Sequence, residues 1–214
     1  MQLILASTSP RRRELLALLN IPFEMRSPSF DEQLKSDHSA VEQVKSFAIG
    51  KARSVAEQEP VAIVLGSDTV IEVDHDVLGK PGDVAEARAM LRRLAGRHHH
   101  VHSAVGLVSK VRKLELVALS TATVWMKGYE EQTHERYLAT GESLGKAGGY
   151  SIQGLGGDLI AAIEGDFPTV VGLPLRLVAT LLAQAGLRAP VEIETLYTAK
   201  PYPNWGRFSN VSPS

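Results

Sequence analysis

The chain has no cysteine among its 214 residues. That excludes disulfides, thiolate metal sites and a cysteine nucleophile, and it suits a reducing compartment. It has almost no net charge, −1 at pH 7, so no global basic field draws in DNA or RNA, and a nucleotide-like ligand must be held by a local site. Aromatic residues make up only 6%. With no basic stripe for them to interleave, a nucleic-acid-binding module is disfavoured. No apolar run approaches the ~20 residues of a membrane span, and no charged-then-apolar leader precedes the first strand pattern. The expectation is a cytoplasmic protein with neither membrane nor nucleic acid as partner. Three common nucleotide or hydrolase signatures are also missing. There is no Gly-x-x-x-x-Gly-Lys-Ser/Thr loop, no Gly-x-Gly-x-x-Gly opening a helix, and no Gly-x-Ser-x-Gly elbow.

What is present is ordinary in amount and pointed in arrangement. Hydrophobic residues at 44% and charged residues at 22% allow one sizeable core or two small lobes. The first thirteen residues organise the rest. Gln2–Ala6 reads as a short buried strand, and Ser7-Thr8-Ser9-Pro10 turns the chain into a helix over about Pro10–Leu19. Ser9 suits the N-cap and Pro10 the first helical position. Arg11, Arg12 and Arg13 then crowd a helix end that carries partial positive charge and normally collects acids. The arrangement becomes favourable if an anion docks there, with backbone N–H groups, hydroxyls and guanidinium forks converging on phosphate. Otherwise it is a solvated basic turn.

Further along, Pro22–Arg26 reads as a second strand, and Ser27–Glu32 as a loop bearing the adjacent acids Asp31 and Glu32. Start signals over Ser36–Ala40 precede a helix at about Val41–Ala56. Its apolar stripe is Val41, Val44, Phe47, Ala48, Ala52 and Val55. Lys51 falls on that stripe, so it either snorkels past the core edge or aims into a pocket. Pro60–Leu65 reads as a buried strand, broken by Gly66-Ser67-Asp68-Thr69 and resumed at Val70–Asp74, which presents Asp68 at a strand end. The alternative is one long strand with Asp68 solvated. A turn at His75-Asp76 returns the chain through Val77-Leu78 to Gly79-Lys80-Pro81. A helix at Val84–Leu94 is capped by Asp83. Strands at about His100–Lys110 and Lys113–Lys127 follow as a pair, with His100 and His102 on one face. A helix spans about Tyr129–Thr140. Gly141–Gly157 is a glycine-rich loop suited to close approach of backbone to ligand. Asp158–Glu164 and Thr169–Leu173 read as a hairpin around Gly165-Asp166, and Leu175–Ala185 as a last helix. Arg188–Ser214 shows no clear period and is expected to wrap the body or fray. The irregular alternation favours a mixed-sheet α/β fold.

Five segments carry chemistry: Arg11–Arg13, Asp31-Glu32, Lys51, Asp68-Thr69 with Lys80, and Lys146–Gln153. Carboxylates hold a hard cation and accept a proton from water, while lysine and arginine neutralise charge growing on phosphate oxygens.

These residues, in this order, resemble the Maf family of nucleoside triphosphate pyrophosphatases. Ala6-Ser7-Thr8-Ser9-Pro10-Arg11-Arg12 is similar to its N-terminal signature. Gly66-Ser67-Asp68-Thr69-Val70 and Gly79-Lys80-Pro81 match its central motifs. Lys146-Ala147-Gly148-Gly149-Tyr150-Ser151-Ile152-Gln153-Gly154 and Val171-Gly172-Leu173-Pro174 match its C-terminal ones. The resemblance covers residues 1–187, taken as one Maf-like domain, and leaves 188–214 as an extension of open role. It implies an elongated mixed sheet flanked by helices, in two lobes with a cleft between them. It also implies cleavage of a nucleoside triphosphate to the monophosphate and pyrophosphate with a divalent cation, Mg²⁺ or Mn²⁺, and a homodimer. By position, Asp68 resembles the proton acceptor and, with Glu32, the metal-associated carboxylates. Lys51 and Lys80 join Asp68 in catalysis by holding the phosphate chain. Ser7, Ser9 and Arg12 would bind substrate. Arg11, Thr69 and Gln153 resemble the base-facing set of the dTTP/UTP type; the 7-methylguanosine triphosphate type has Trp, Gln and Glu there. Gln153 can donate and accept, which suits the O and N–H groups of a pyrimidine imide. An alternative is a nucleotide-sensing regulator of septum formation, the role behind the family's name, with little turnover.

Overall fold

The computed structural model describes residues 1–32 and 38–208. Among these, the strands are β1 (Leu3–Ala6), β2 (Phe23–Arg26), β3 (Ile63–Val73), β4 (Asp76–Leu78), β5 (His98–Ser109), β6 (Leu114–Met126) and β7 (Ile160–Glu164). The helices are α1 (Pro10–Ala17), α2 (Ala40–Ala56), α3 (Val84–Leu94), α4 (Glu131–Ala139), α5 (Phe167–Val171), α6 (Leu175–Gln184) and α7 (Ile193–Ala199). The strands form one seven-stranded sheet in the order β2-β1-β3-β5-β6-β7, with β4 pairing β3 outside that path. It is mixed: β1 is parallel to both β2 and β3, while β3–β4 and β6–β7 are antiparallel. The class expected from the sequence, α/β with helices flanking a mixed sheet, is the one found.

Contacts divide the chain into two compact units. The first holds residues 1–69, 103–120 and 172–200, the second residues 70–102, 121–171 and 201 onward.

In the first unit the two parallel crossovers run through helices, as parallel strands require. Ser9 caps α1 with Pro10 behind it. Ser39 caps α2 in a reciprocal box with Glu42; the expected start signal at Ser36 lies outside the described residues. The core is the face of β1 and β3 under α2: Ile4, Ala6, Val64, Ala52, Val55, Ala56 and Val108, with Ile49 packed on it. Gly66 makes that packing close, because a Cβ there would stand 2.2 Å from the Ala48 carbonyl oxygen and 2.8 Å from the Ala52 nitrogen. Side chains alternate along a strand, so Asp68 continues the Val64–Gly66 face and points to the side that α2 covers.

The structure corrects three expectations. β3 is one unbroken strand of eleven residues, so Asp68 sits mid-strand rather than at a strand end, and it is buried rather than solvated. A polar tetrapeptide looks like a break only when its burial is unknown; here Ser67 and Asp68 find buried partners and the ladder continues. The second correction is the hairpin after β7. Residues 167–171 form α5 instead. Asp166 accepts from the backbone N–H of Thr169 at 3.0 Å and from its hydroxyl at 2.7 Å, and this local cap overrides the β-propensity of Thr-Val-Val. The third lies between β3 and β4, where the turn is Asp74-His75, both left-handed (φ 52° and 66°), one residue earlier than His75-Asp76.

Candidate active site

The parallel register of β1 on β3 pairs Ala6 with Gly66, which sets the turn Ser7–Ser9 beside the stretch Ser67–Thr69. Ser7 is buried and its hydroxyl accepts from the backbone N–H of Ser9 at 3.1 Å. The Ser9 hydroxyl accepts in turn from the backbone N–H of Arg12 at 3.5 Å, closing the start of α1. The three first-turn arginines then part ways. Arg13 is exposed and Arg11 half-buried. Arg12 turns inward, donating from Nε to the Gly172 carbonyl at 3.0 Å and from Nη2 to the Thr69 hydroxyl at 3.3 Å. Burial holds its guanidinium below the usual arginine range, and the nearby charges of Asp68 and Glu32 pull the other way.

Lys51 settles the choice that its stripe position left open. It is buried, not snorkelling, with 6% of its surface exposed. Its ammonium stands 2.6 Å from Asp68 Oδ1 and 2.6 Å from Glu32 Oε1. The Asp68 side chain is as buried as Lys51's, whereas Glu32 remains partly open to solvent. A buried ammonium is tolerable only when paired and hydrogen-bonded, and two acids from different segments meet that condition. Lys51, Asp68, Glu32, Arg12 and Thr69 therefore form one group, with Ser7 and Ser9 building the turn beside it.

Two residues outside the candidate list hold this group in place. The Ser67 hydroxyl contacts the Ala104 carbonyl at 2.9 Å and the Gly172 carbonyl at 3.1 Å. The Ser103 hydroxyl lies 2.8 Å from that of Thr69. The Gly172 carbonyl thus links Arg12 and Ser67. Gly172 and Ser67 belong to motifs visible in the sequence; nothing local marks Ser103 for this role.

Lys80 and Gln153 belong to the second unit. Lys80 is exposed, with no ion-pair acid among the described residues. The Gly79 carbonyl accepts from the backbone N–H of Gly148 at 3.1 Å, so the turn carrying Lys80 is joined to the glycine-rich segment carrying Gln153. That segment is not a plain loop. It contains 3-10 turns at Ala147–Gly149 and Leu155–Leu159. Gln153 is half-buried, and its Oε1 is shielded from solvent with no hydrogen-bond partner among the described residues.

Tyr150 in the same segment is anchored from below, its hydroxyl 2.7 Å from His99 Nε2, both groups buried. Burial, reinforced by His100 and then His98, pushes the His99 imidazole down to about 3, while burial pushes the Tyr150 phenol up. An unfolded histidine titrates near ~6.5. Between that value and about 3 the unfolded chain therefore binds a proton that the native one refuses. The stability from neutral His99 is complete above pH ~6.5 and is lost as pH falls through that window. Urea unfolding should lose about 2 kcal/mol between pH ~6.5 and ~5 from this group alone, and His99→Gln should flatten that slope. An unchanged slope in the variant would remove His99 as its source.

The class of protein is an α/β fold whose mixed sheet buries a lysine between two acids, beside a capped helix start with an inward-turned arginine. Sequence comparison gives that class its family. A family model described as Maf-like protein matches residues 2–185, and the chain belongs to the Maf family. It is 48% identical over 185 residues to a protein of Symbiobacterium thermophilum, covering 86% of this chain and 94% of that one. It is 45% identical over 186 residues to one of Moorella thermoacetica (87% and 96%), and 43% identical over 186 residues to one of Dictyoglomus thermophilum (86% and 96%). All three are named dTTP/UTP pyrophosphatase.

Proposed function

We propose that this chain is a dTTP/UTP pyrophosphatase, hydrolysing the nucleoside triphosphate to the monophosphate and pyrophosphate. Relatives of that name match it over nearly their whole length. The observation that carries the chemistry is the buried Asp68 held by Lys51. Asp68 accepts the proton of the attacking water, the task of a positioned carboxylate. Lys51 keeps that carboxylate oriented. The Arg12 guanidinium, preset by the Gly172 carbonyl and Thr69, stands ready for charge growing on phosphate oxygens without reorganising. Lys80, exposed on its turn, adds a mobile point charge for the phosphate chain. Gln153 reads the base. Its carboxamide can both donate and accept, which suits the N–H and carbonyl of a pyrimidine imide, and its Oε1 has no hydrogen-bond partner among the described residues.

A divalent cation, Mg²⁺ or Mn²⁺, belongs to this proposal. The donor set fits it. Glu32 and Asp68 already turn one hard oxygen each toward a single cationic group, the Lys51 ammonium. No cluster of three acidic or histidine ligands exists among the described residues. A cation held by one or two carboxylates and completed by substrate phosphate and water is the usual Mg²⁺ pattern. When bound, it would neutralise phosphate charge beside Arg12. Among the described residues no helix is long and apolar enough to cross a membrane, and a substrate drawn from the nucleotide pool supports a cytoplasmic setting.

The test is a nucleotide screen scored by product identity, with and without a chelator. Pyrophosphate, not orthophosphate, should appear from dTTP and UTP, and chelation should abolish it. Orthophosphate release would overturn the bond assignment. Tight dTTP binding with negligible turnover at saturating metal would return the regulator of septum formation.

A further inference from the structure

The tail after residue 188 showed no period in sequence, and the family model stops at 185. Its part in the second unit is nevertheless built into the core. Trp205 and Phe208 are buried and stack on Phe167, with ring centroids 5.8 Å and 6.3 Å apart and planes 11° and 19° off parallel. Arg207 pairs with Asp158 at 2.7 Å. Three aromatic rings and an ion pair fix where residues 204–208 run.

At the start of this stretch stands Asn204. Its side-chain Nδ2 donates to two carbonyls, Ile152 at 2.8 Å and Gly154 at 3.0 Å. These are the residues on either side of Gln153. Asn204 itself adopts a left-handed backbone (φ 63°), which asparagine tolerates better than most residues. A Cβ on Gly157 would stand 2.8 Å from the Asn204 amide nitrogen, so the segment is shaped to admit this side chain. From the other direction the Glu142 carboxylate accepts from the backbone N–H groups of Leu155 and Gly156, at 3.1 and 3.0 Å. The carbonyls of the Gln153 segment are thus held by an amide of the tail, and the N–H groups just beyond by an acid.

We infer that Asn204 is a positioning residue for base selection. By bracketing Gln153 it fixes the backbone from which that side chain projects, so that the amide meets the uracil or thymine edge in one sense. The inference rests on the reading of Gln153 given above. Its physical content is a discrimination. The imide edge of uracil offers an N–H donor and a carbonyl acceptor; cytosine offers a ring-nitrogen acceptor and an amino donor. A carboxamide matches either edge, depending on which way it faces. A held amide selects one pyrimidine, and a loosened one admits both.

The experiment compares kcat/KM for UTP and CTP in the full chain with Asn204→Gly, which removes the amide while permitting the left-handed backbone, and with Asn204→Asp, which keeps the shape and turns a carboxylate toward the two carbonyls. The Asp variant decides if the Gly variant does not fold. Loss of two neutral hydrogen bonds should raise KM for UTP about tenfold. The UTP-over-CTP preference should fall by a similar factor, with kcat for UTP changed about twofold or less. Amide exchange across residues 152–157 should quicken in parallel. A variant with faster exchange and lower melting temperature but an unchanged UTP/CTP ratio would reduce Asn204 to a structural tie and overturn the inference. Gln153→Ala separates the two levels. If it leaves the ratio unchanged, Gln153 does not read the base, and both that reading and this inference fall. If it collapses the ratio while both Asn204 variants keep it, the inference falls alone.

Discussion

Replacing Asp68 by asparagine lowers kcat for pyrophosphate release from dTTP by ~10²- to 10⁴-fold, the range for loss of a positioned general base. Asparagine keeps the size of the side chain and an oxygen that accepts from the Lys51 ammonium, so Lys51 retains two oxygen neighbours, one from the substituted amide and one from Glu32. What disappears is the basicity. The fold should therefore survive with a melting temperature near that of the parent, and KM should move only a few-fold. Steady-state kinetics with a pyrophosphate-coupled readout, beside a thermal melt, measure both. A variant that turns over at the parental rate would show that another group takes the proton, and Glu32, the second acid on Lys51, would be the next to replace.

The second large effect is on stability. Lys51→Met fills much of the same volume but leaves the buried Asp68 without its direct ion-pair partner. Breaking one side of a buried ion pair costs about 3–5 kcal/mol, which for a chain of this size is a melting-temperature drop on the order of 10 °C. The cost belongs to the stranded carboxylate rather than to the missing lysine, and a cycle exposes that. Lys51→Met combined with Asp68→Asn should be less destabilised than Lys51→Met alone, because the neutral amide no longer needs a counter-charge. Additive losses would mean that Lys51 stabilises α2 through its methylenes and not through its charge. Turnover should be lost in both, since the orienting ammonium is gone.

Several parts of the molecule were legible because they depend on near neighbours along the chain. The Ser9 cap with Pro10, the Asp83 cap of α3 and the period of α2 are contacts across three or four residues, and such contacts are written in short windows of sequence. Lys51 was already anomalous on an apolar stripe, and the acids it meets stood out as candidates, although Asp68 was expected at a strand end and lies mid-strand. The tail was illegible for the opposite reason. α7 is tied back to α6 through Arg176, which pairs with Glu194 and lies over Tyr197, and the aromatic turn at Trp205–Phe208 stacks on Phe167; short helices rarely hold without such packing. The hairpin expected after β7 failed because β-propensity yields readily to a local cap, as Asp166 and Thr169 demonstrate.

The amino-acid sequence by itself determined the class of fold, most of its elements and several of the residues that meet around Lys51, because caps, alternation and motif order are local properties of a chain. The tertiary structure alone decided that Asp68 lies mid-strand and buried, that Lys51 points inward between two acids, that Arg12 and not Arg13 turns to the Gly172 carbonyl, and that Asn204 brackets Gln153. The contacts involved join groups from 17 to 160 residues apart along the chain. The desolvation that makes such a contact obligatory exists only once the surrounding layers have closed over it.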